Sequence, residues 1–220
     1  MKRRSFLKLL PLTFFASCYK IEDMNYSNYS NTINNSDNIV SFQSVQGATI
    51  SQLSIIVKVT AGHNVYIDWG NGTSAQITAN GADQTLTSNY VTNNTTYNIK
   101  IYGQVKGLTK WHLNNQSTIA GATSAQLKKF GLTYFHNYNS GTTNYIDTAD
   151  FVDNAMTYFY LYFGVEQGGH SVKSEHFTNW NLTVFELVKA GYNHIIDSAD
   201  FAEMTGLTKF YLSYAGGSNI

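Results

Sequence analysis

Cysteine and proline are nearly missing: the chain has one of each, Cys18 and Pro11, both near the start of its 220 residues. Beyond residue 18 no thiol remains, so disulfides cannot stabilise whatever folds there. Charge is scarce as well, because charged residues make up 13% and cancel to a net charge of zero. Nucleic-acid binding needs a basic face that neutralises phosphates, and this composition excludes it. Catalytic signatures are lacking too: there is no G-x-S-x-G, no H-E-x-x-H and no phosphate-binding loop. The six histidines (His63, His112, His136, His170, His176 and His194) show no metal-ligand spacing. What the chain does have is 43% hydrophobic residues, enough for a packed core, and sixteen tyrosines. With Lys and Glu so few, the polar surface must be built from Asn, Thr, Ser and Tyr.

Residues 1–18, MKRRSFLKLLPLTFFASC, combine a basic start (Lys2, Arg3, Arg4) with an apolar run from Phe6 to Ala16. That run is too short for a membrane-spanning helix, which needs roughly 20 residues. It has the size of the apolar segment of a secretory signal. Phe15-Ala16-Ser17-Cys18 resembles a bacterial lipobox, with Phe15 where Leu is usual and Ser17 where Gly or Ala is usual. The resemblance implies that Cys18 is diacylated and becomes the new N-terminus. Acyl chains would then hold the protein on a membrane at about 0.8 kcal/mol per buried methylene. The other reading is an ordinary cleaved signal with an incidental cysteine. Arg3-Arg4-Ser5-Phe6-Leu7-Lys8 also resembles the twin-arginine export pattern, so two export routes stand open. Residues 19–40 are polar, rich in Asn and Ser and aperiodic, and read as a flexible tether.

Between residues 41 and 106 the pattern changes to strands. Leu53–Val59 is β-branched and largely alternating, and Val65–Trp69 follows it into the turn Gly70-Asn71-Gly72. Gln76–Thr78 continues, and Tyr97–Gly103 closes the module with clear alternation. Short strands at this spacing predict a small antiparallel β-sandwich. Ile67-Asp68-Trp69-Gly70-Asn71-Gly72, with the closing Tyr97-x-Ile99-x-Ile101, resembles a polycystic-kidney-disease-type (PKD-like) domain, with Asn71 in place of the usual Asp. The resemblance implies an extracellular spacer or interaction module without catalysis. Asp68 reads as a turn-fixing residue that bonds backbone amides; a catalytic or calcium-binding role is the rival reading.

Residues 107–220 are a repeat array. Five segments align: Leu108-Thr109-Lys110-Trp111-His112-Leu113, Leu132-Thr133-Tyr134-Phe135-His136-Asn137, Met156-Thr157-Tyr158-Phe159-Tyr160-Leu161, Leu182-Thr183-Val184-Phe185-Glu186-Leu187 and Leu207-Thr208-Lys209-Phe210-Tyr211-Leu212. Their starts are 24, 24, 26 and 25 residues apart. A second feature keeps the same phase: Leu127, Phe151, Phe177 and Phe201 precede the next start by five or six residues. Two periodic features in phase are an architecture, not an accident. The period and the L-T-x-(F/W)-x-L core resemble the leucine-rich repeats of bacterial surface proteins. With the lipobox and the PKD-like stretch, the chain resembles Bacteroidetes-type surface lipoproteins. The resemblance implies a short solenoid in which each repeat lends one strand to a parallel sheet on the concave face.

Strand alternation then sorts the side chains. Phe135, Phe159, Phe185 and Phe210 are expected in the core, with Leu113, Leu161, Leu187 and Leu212. Asn137 falls on the inward side too, where a distorted turn or an internal hydrogen bond is expected. The concave face is expected to carry Lys110, His112, Tyr134, His136, Tyr138, Tyr158, Tyr160, Tyr162, Glu186 and Tyr211. Six of these ten are tyrosines. Tyrosine offers broad contact area at low entropy cost and is enriched at binding surfaces; it also simply packs well across strands. Both readings stand for this face. Tyr134, His136, Tyr138, Tyr158, Tyr160, Tyr162, Glu186 and Tyr211 are the candidate binding residues.

Asp147, Asp150, Asp197 and Asp200 recur in phase, so repetition explains them without catalysis. His112 and His136 stand one repeat apart and invite a zinc reading, against which stands an incidental pair. Asp147-Thr148-Ala149 and Asp197-Ser198-Ala199 match a short O-glycosylation pattern that the repeat explains equally well. The fifth repeat stops at Ile220, a little past half a period, which reads as truncation or as an end protected by self-association. The expected fold is mainly β with short helical or irregular segments: an antiparallel sandwich (PKD/Ig-like) followed by a leucine-rich-repeat-like array. The expected role is a non-catalytic lipoprotein, exported and anchored at the bacterial outer membrane or cell surface. It would bind a host or cell-surface protein, with no cofactor, no metal and no nucleic acid. Glycan capture and a self-associating envelope protein are the alternatives.

Overall fold

The computed structural model describes residues 38–114, 119–139, 144–163, 170–188 and 194–213. Residues 1–37, which hold the expected signal segment, Cys18 and most of the expected tether, lie outside the described residues. The strands are β1 (Ile39–Val45), β2 (Ser54–Val59), β3 (Val65–Asp68), β4 (Ser74–Ile77), β5 (Asp83–Thr87) and β6 (Thr96–Gly103). There follow β7 (Leu108–Leu113), β8 (Ile119–Ala120), β9 (Tyr134–Asn139), β10 (Tyr158–Phe163), β11 (Val184–Val188) and β12 (Lys209–Ser213). The protein is mainly β, with two sheets ordered β4-β3-β6-β1-β8 and β12-β11-β10-β9-β7-β2-β5.

The first sheet is antiparallel throughout. Its strands alternate as half-buried strands should: Tyr97, Ile99 and Ile101 of β6 are buried while their neighbours face outward. At the β3–β4 turn Gly70 has φ 74°, and a Cβ there would meet the Asn98 backbone, so no other residue fits. The two sheets pack face to face, with Phe42 of β1 set edge-on to Trp111 of β7 at 5.6 Å. Ile39 already pairs with Tyr102, so residues 39 and 40 belong to β1 and not to a tether reaching residue 40.

β7 has two partners of opposite sense. It runs antiparallel to β2 and parallel to β9, and β9 to β12 continue in parallel. One seven-stranded sheet therefore crosses residue 107 with its hydrogen bonding unbroken.

Within the parallel part, equivalent residues of the repeats lie directly abreast. Trp111, Phe135, Phe159, Phe185 and Phe210 form one row. Successive phenylalanine rings along it are 5.3, 5.8 and 5.5 Å apart. The chain returns through the short helix α1 (Ser124–Leu127) and through 3-10 turns at Thr148–Phe151, Ser174–His176 and Ser198–Phe201. These bring Leu127, Phe151, Phe177 and Phe201 against the row from the opposite side, all four of them buried. The threonine in the second position of each repeat bonds the threonine before it: its N–H and its hydroxyl both donate to that carbonyl, for Thr133, Thr157, Thr183 and Thr208 alike. A second hydroxyl relay joins the turns. Ser124 Oγ donates to Asp150 and accepts from Asp147 N–H, and Ser174 does the same with Asp200 and Asp197. Between them Thr148 meets His176 Nδ1 at 2.9 Å and accepts from Lys173 N–H.

Two expectations for the core need correction. Phe210 is 46% exposed where its equivalents Phe135, Phe159 and Phe185 are at 0%, and Leu212 is half-buried. The reason is position: β12 is the edge of its sheet and has one strand neighbour among the described residues. Asn137 is fully buried; its backbone stays paired in register between Leu113 and Leu161, so the ladder is not distorted, and its side-chain amide finds no hydrogen-bond partner. A buried amide left unpaired costs about 1–3 kcal/mol.

Position along the row fixes what each ring contributes. Phe159→Ala should lower the unfolding free energy by about 3–5 kcal/mol, and Phe210→Ala by no more than about half of that because its ring is already half in water. Urea unfolding of the two variants checks this; equal losses would mean that the β12 edge is as buried as the middle of the row.

Candidate functional site

The outward side of the long sheet carries three columns of side chains, set by the same register that builds the core. The first runs Lys110, Tyr134, Tyr158, Val184 and Lys209; the second runs His112, His136, Tyr160, Glu186 and Tyr211. The third brings Tyr138 beside Tyr162, with Val188 and Ser213 beyond. All eight candidate residues thus fall on one continuous face.

Within the columns the rings stack. Centroid separations are 4.1 Å for Tyr134–Tyr158, His136–Tyr160 and Tyr138–Tyr162, with interplanar angles of 10°, 7° and 5°. His112 and His136 are also 4.1 Å apart. Rings lying flat on the sheet could not bring their centroids so close without overlapping edges, so these rings stand upright and turn their faces to each other. Their edges and hydroxyls are what solvent meets. Tyr134, His136, Tyr138, Tyr158, Tyr160 and Tyr162 are accordingly half-buried, while Tyr211 on the edge strand is 47% exposed.

An ion pair closes each end of the face. Lys110 Nζ lies 2.6 Å from Asp83 of β5 and 4.3 Å above the Tyr134 ring. Glu186, nearly buried between its column neighbours, pairs with Lys209 at 2.8 Å. Asp83, Lys209, and Ile56 and Lys58 of β2 share this face and were not foreseen as part of it. Ile56 pairs with His112 and Lys58 with both Lys110 and Asp83. Alternation in β2 already turns Ile56 and Lys58 away from the core, but nothing local says that β2 would pair with the first repeat strand.

The rings of the face are held neutral. Burial, and then the neighbouring His112 and Lys110, push the His136 pKa down to about 3; burial and Lys110 lower that of His112. Burial first, then the Tyr134 hydroxyl, raise Tyr158, and the hydrogen bond with Tyr162 raises Tyr138. His136 Nδ1 and the Tyr158 hydroxyl sit 3.3 Å apart. Stacked imidazoles point their lone pairs side by side and not at a common point, so this pair cannot chelate a metal without unstacking. Among the described residues no group of three or more His, Cys, Asp or Glu could hold a metal ion.

The other singled-out residues go elsewhere. Asp68 Oδ1 accepts from the Gly70 N–H at 2.8 Å, which fixes the turn. Asp147 and Asp197 each cap a 3-10 turn by accepting from Ala149 and Ala199 N–H. Thr148 of the D-T-A match is fully buried and hydrogen-bonded, whereas Ser198 is exposed. His170 and His194 are buried in the repeat interior, and His63 sits beside the Thr60 carbonyl.

A depressed histidine pKa has a sign. His136 favours folding where the folded ring is neutral and the unfolded ring would be too, and that contribution drains away as pH falls from about 6.5 toward 3. An NMR titration should place the His136 ring midpoint at about 3; a midpoint near the ordinary 6.5 would mean that the column does not shield it. Compared with family models, curated proteins and solved structures, the chain matches none.

Proposed function

We propose that the chain is a non-catalytic, exported surface protein that binds a host or cell-surface protein through the aromatic face of its long sheet. In finer terms we read residues 41–106 as a PKD-like module and the repeats as a leucine-rich-type solenoid. Cys18 is read as the lipid anchor that holds the protein at the bacterial outer membrane or cell surface.

One observation carries the binding reading: the paired stacking of Tyr134 on Tyr158, His136 on Tyr160 and Tyr138 on Tyr162. Rings locked against one another have already lost their rotamer freedom, so a partner pays little to order them. Their upright stance offers hydroxyls and ring edges in rows, which suits the mixed polar and apolar surface of a protein. The same stance weighs against glycan capture, because a sugar stacks on an open ring face and these faces are covered by each other. The neutral Lys110–Asp83 and Glu186–Lys209 pairs leave no strong field on the face, so binding should respond weakly to salt.

The test is a binding screen of the full chain against extracellular-matrix proteins, cell-surface proteins and a glycan array. A variant joining Tyr158→Ala, Tyr160→Ala and Tyr162→Ala runs beside it. The expected result is saturable binding to a protein, weakened at least about tenfold in the variant with unfolding still cooperative. Unchanged affinity in a folded variant would sink the aromatic face as the contact. Glycan binding that the variant abolishes would move the reading to capture of sugars, and concentration-dependent self-association alone would move it to an envelope scaffold.

A further inference from the structure

Another row of the repeats runs through their interior. Asn144, His170 and His194 occupy the same place in successive coils, 26 and 24 residues apart, and all three are buried. Asn144 Oδ1 accepts from the Ala122 N–H at 2.9 Å, and its Nδ2 donates to the Ile119 carbonyl at 2.9 Å. In the next two coils an imidazole takes over the acceptor's task. His170 Nδ1 meets the Ile146 N–H at 3.0 Å, and His194 Nδ1 meets the Val172 N–H at 3.2 Å. A backbone N–H can only donate, so each Nδ1 must be the acceptor and the proton of the neutral ring sits on Nε2. Each contact ties a coil to the one before it, beside the bridges Asp147–Ser171 and Lys173–Ile195.

We infer that His170 and His194 form an acid-sensitive fastening of the array: protonation at Nδ1 sets two donors against each other at two successive coil junctions and loosens the coils that carry the aromatic face. The asparagine of the first coil does the same job without a titratable group, so the liability comes from the imidazoles and not from the row. Burial, and then His194, hold the His170 pKa down to about 4. The contribution is therefore whole above about pH 6.5, the unfolded value, and is lost as pH falls toward 4. Tyr145 stacks on His170 at 6.2 Å with its hydroxyl on Asp147, and Lys173 lies on the segment bridged to Ile195. The inference concerns how the coils hold together and stands whether or not the aromatic face binds a partner.

The experiment compares thermal unfolding of the full chain with that of the double variant His170→Asn/His194→Asn at about pH 7 and about pH 5. Acidification should lower Tm by roughly 5–10 °C more in the native chain than in the variant, because asparagine keeps the acceptor and cannot be protonated. Equal losses would overturn the inference. Should the variant not fold, nitrogen-detected NMR of the native chain decides. The inference requires both rings to carry their proton on Nε2 at neutral pH, and the protection of the Ile146 and Val172 amides, taken relative to the intrinsic exchange rate at each pH, to fall as Nδ1 protonates. A ring protonated on Nδ1 at neutral pH, or protection of these amides unchanged by acid, would overturn it.

Discussion

The structure depends on one constraint: each coil must advance the chain by one strand spacing and return every residue beside its counterpart. In-register parallel pairing of β7, β9, β10, β11 and β12 imposes it. Whatever stands at a repeat position is then set beside its counterpart in the next repeat. Phenylalanine lies on phenylalanine in the core, threonine donates to threonine along the strand starts, and tyrosine lies on tyrosine outside. The polar rows convert what would be buried orphans into bonds between coils, which a dry interior demands. Where a row breaks its own rule the cost is visible: Asn137 interrupts a leucine row and leaves its amide unpaired.

β7 solves the problem of where such a stack begins. A coil array has apolar ends that must be covered, and here the covering element is the sandwich itself, through β2 on the free side of β7 and Trp111 packed between Phe42 and Phe130. The antiparallel module and the parallel coils share a sheet and a core, so the aromatic face extends past the repeats onto Ile56, Lys58 and Asp83.

The repeats were the most legible part of the sequence because their two periodic signals lie in phase and each is apolar. That phase placed Phe135, Phe159 and Phe185 inside and the eight candidate residues on the opposite side. The edge effect on Phe210 was not legible, since the residue matches the pattern and burial is decided by neighbours. β5 was missed for a related reason: Asp83-Gln84-Thr85-Leu86-Thr87 is a polar edge strand, and only its pairing with β2 makes it one. The stacking of the tyrosines could be guessed from their alignment; its consequence, that ring faces are hidden and edges shown, needed the distances. The aspartates of the D-(S/T)-A segments were read correctly as structural, but the Ser–Asp and Thr–His relay that explains them joins residues far apart in sequence.

The placement of β1 bears on mechanics. The strand enters at Ile39 and is paired along its whole length with β6, from Ile39–Tyr102 to Val45–Thr96, with β8 on its other side. Tension applied at residue 38 along the strand axis would load these bonds side by side in shear, and none could be unzipped one at a time. A load taken up on the long sheet would reach β1 through the packed interface between the sheets. A pull from the N-terminal side of β1 thus meets the β1–β6 ladder first and loads it in shear.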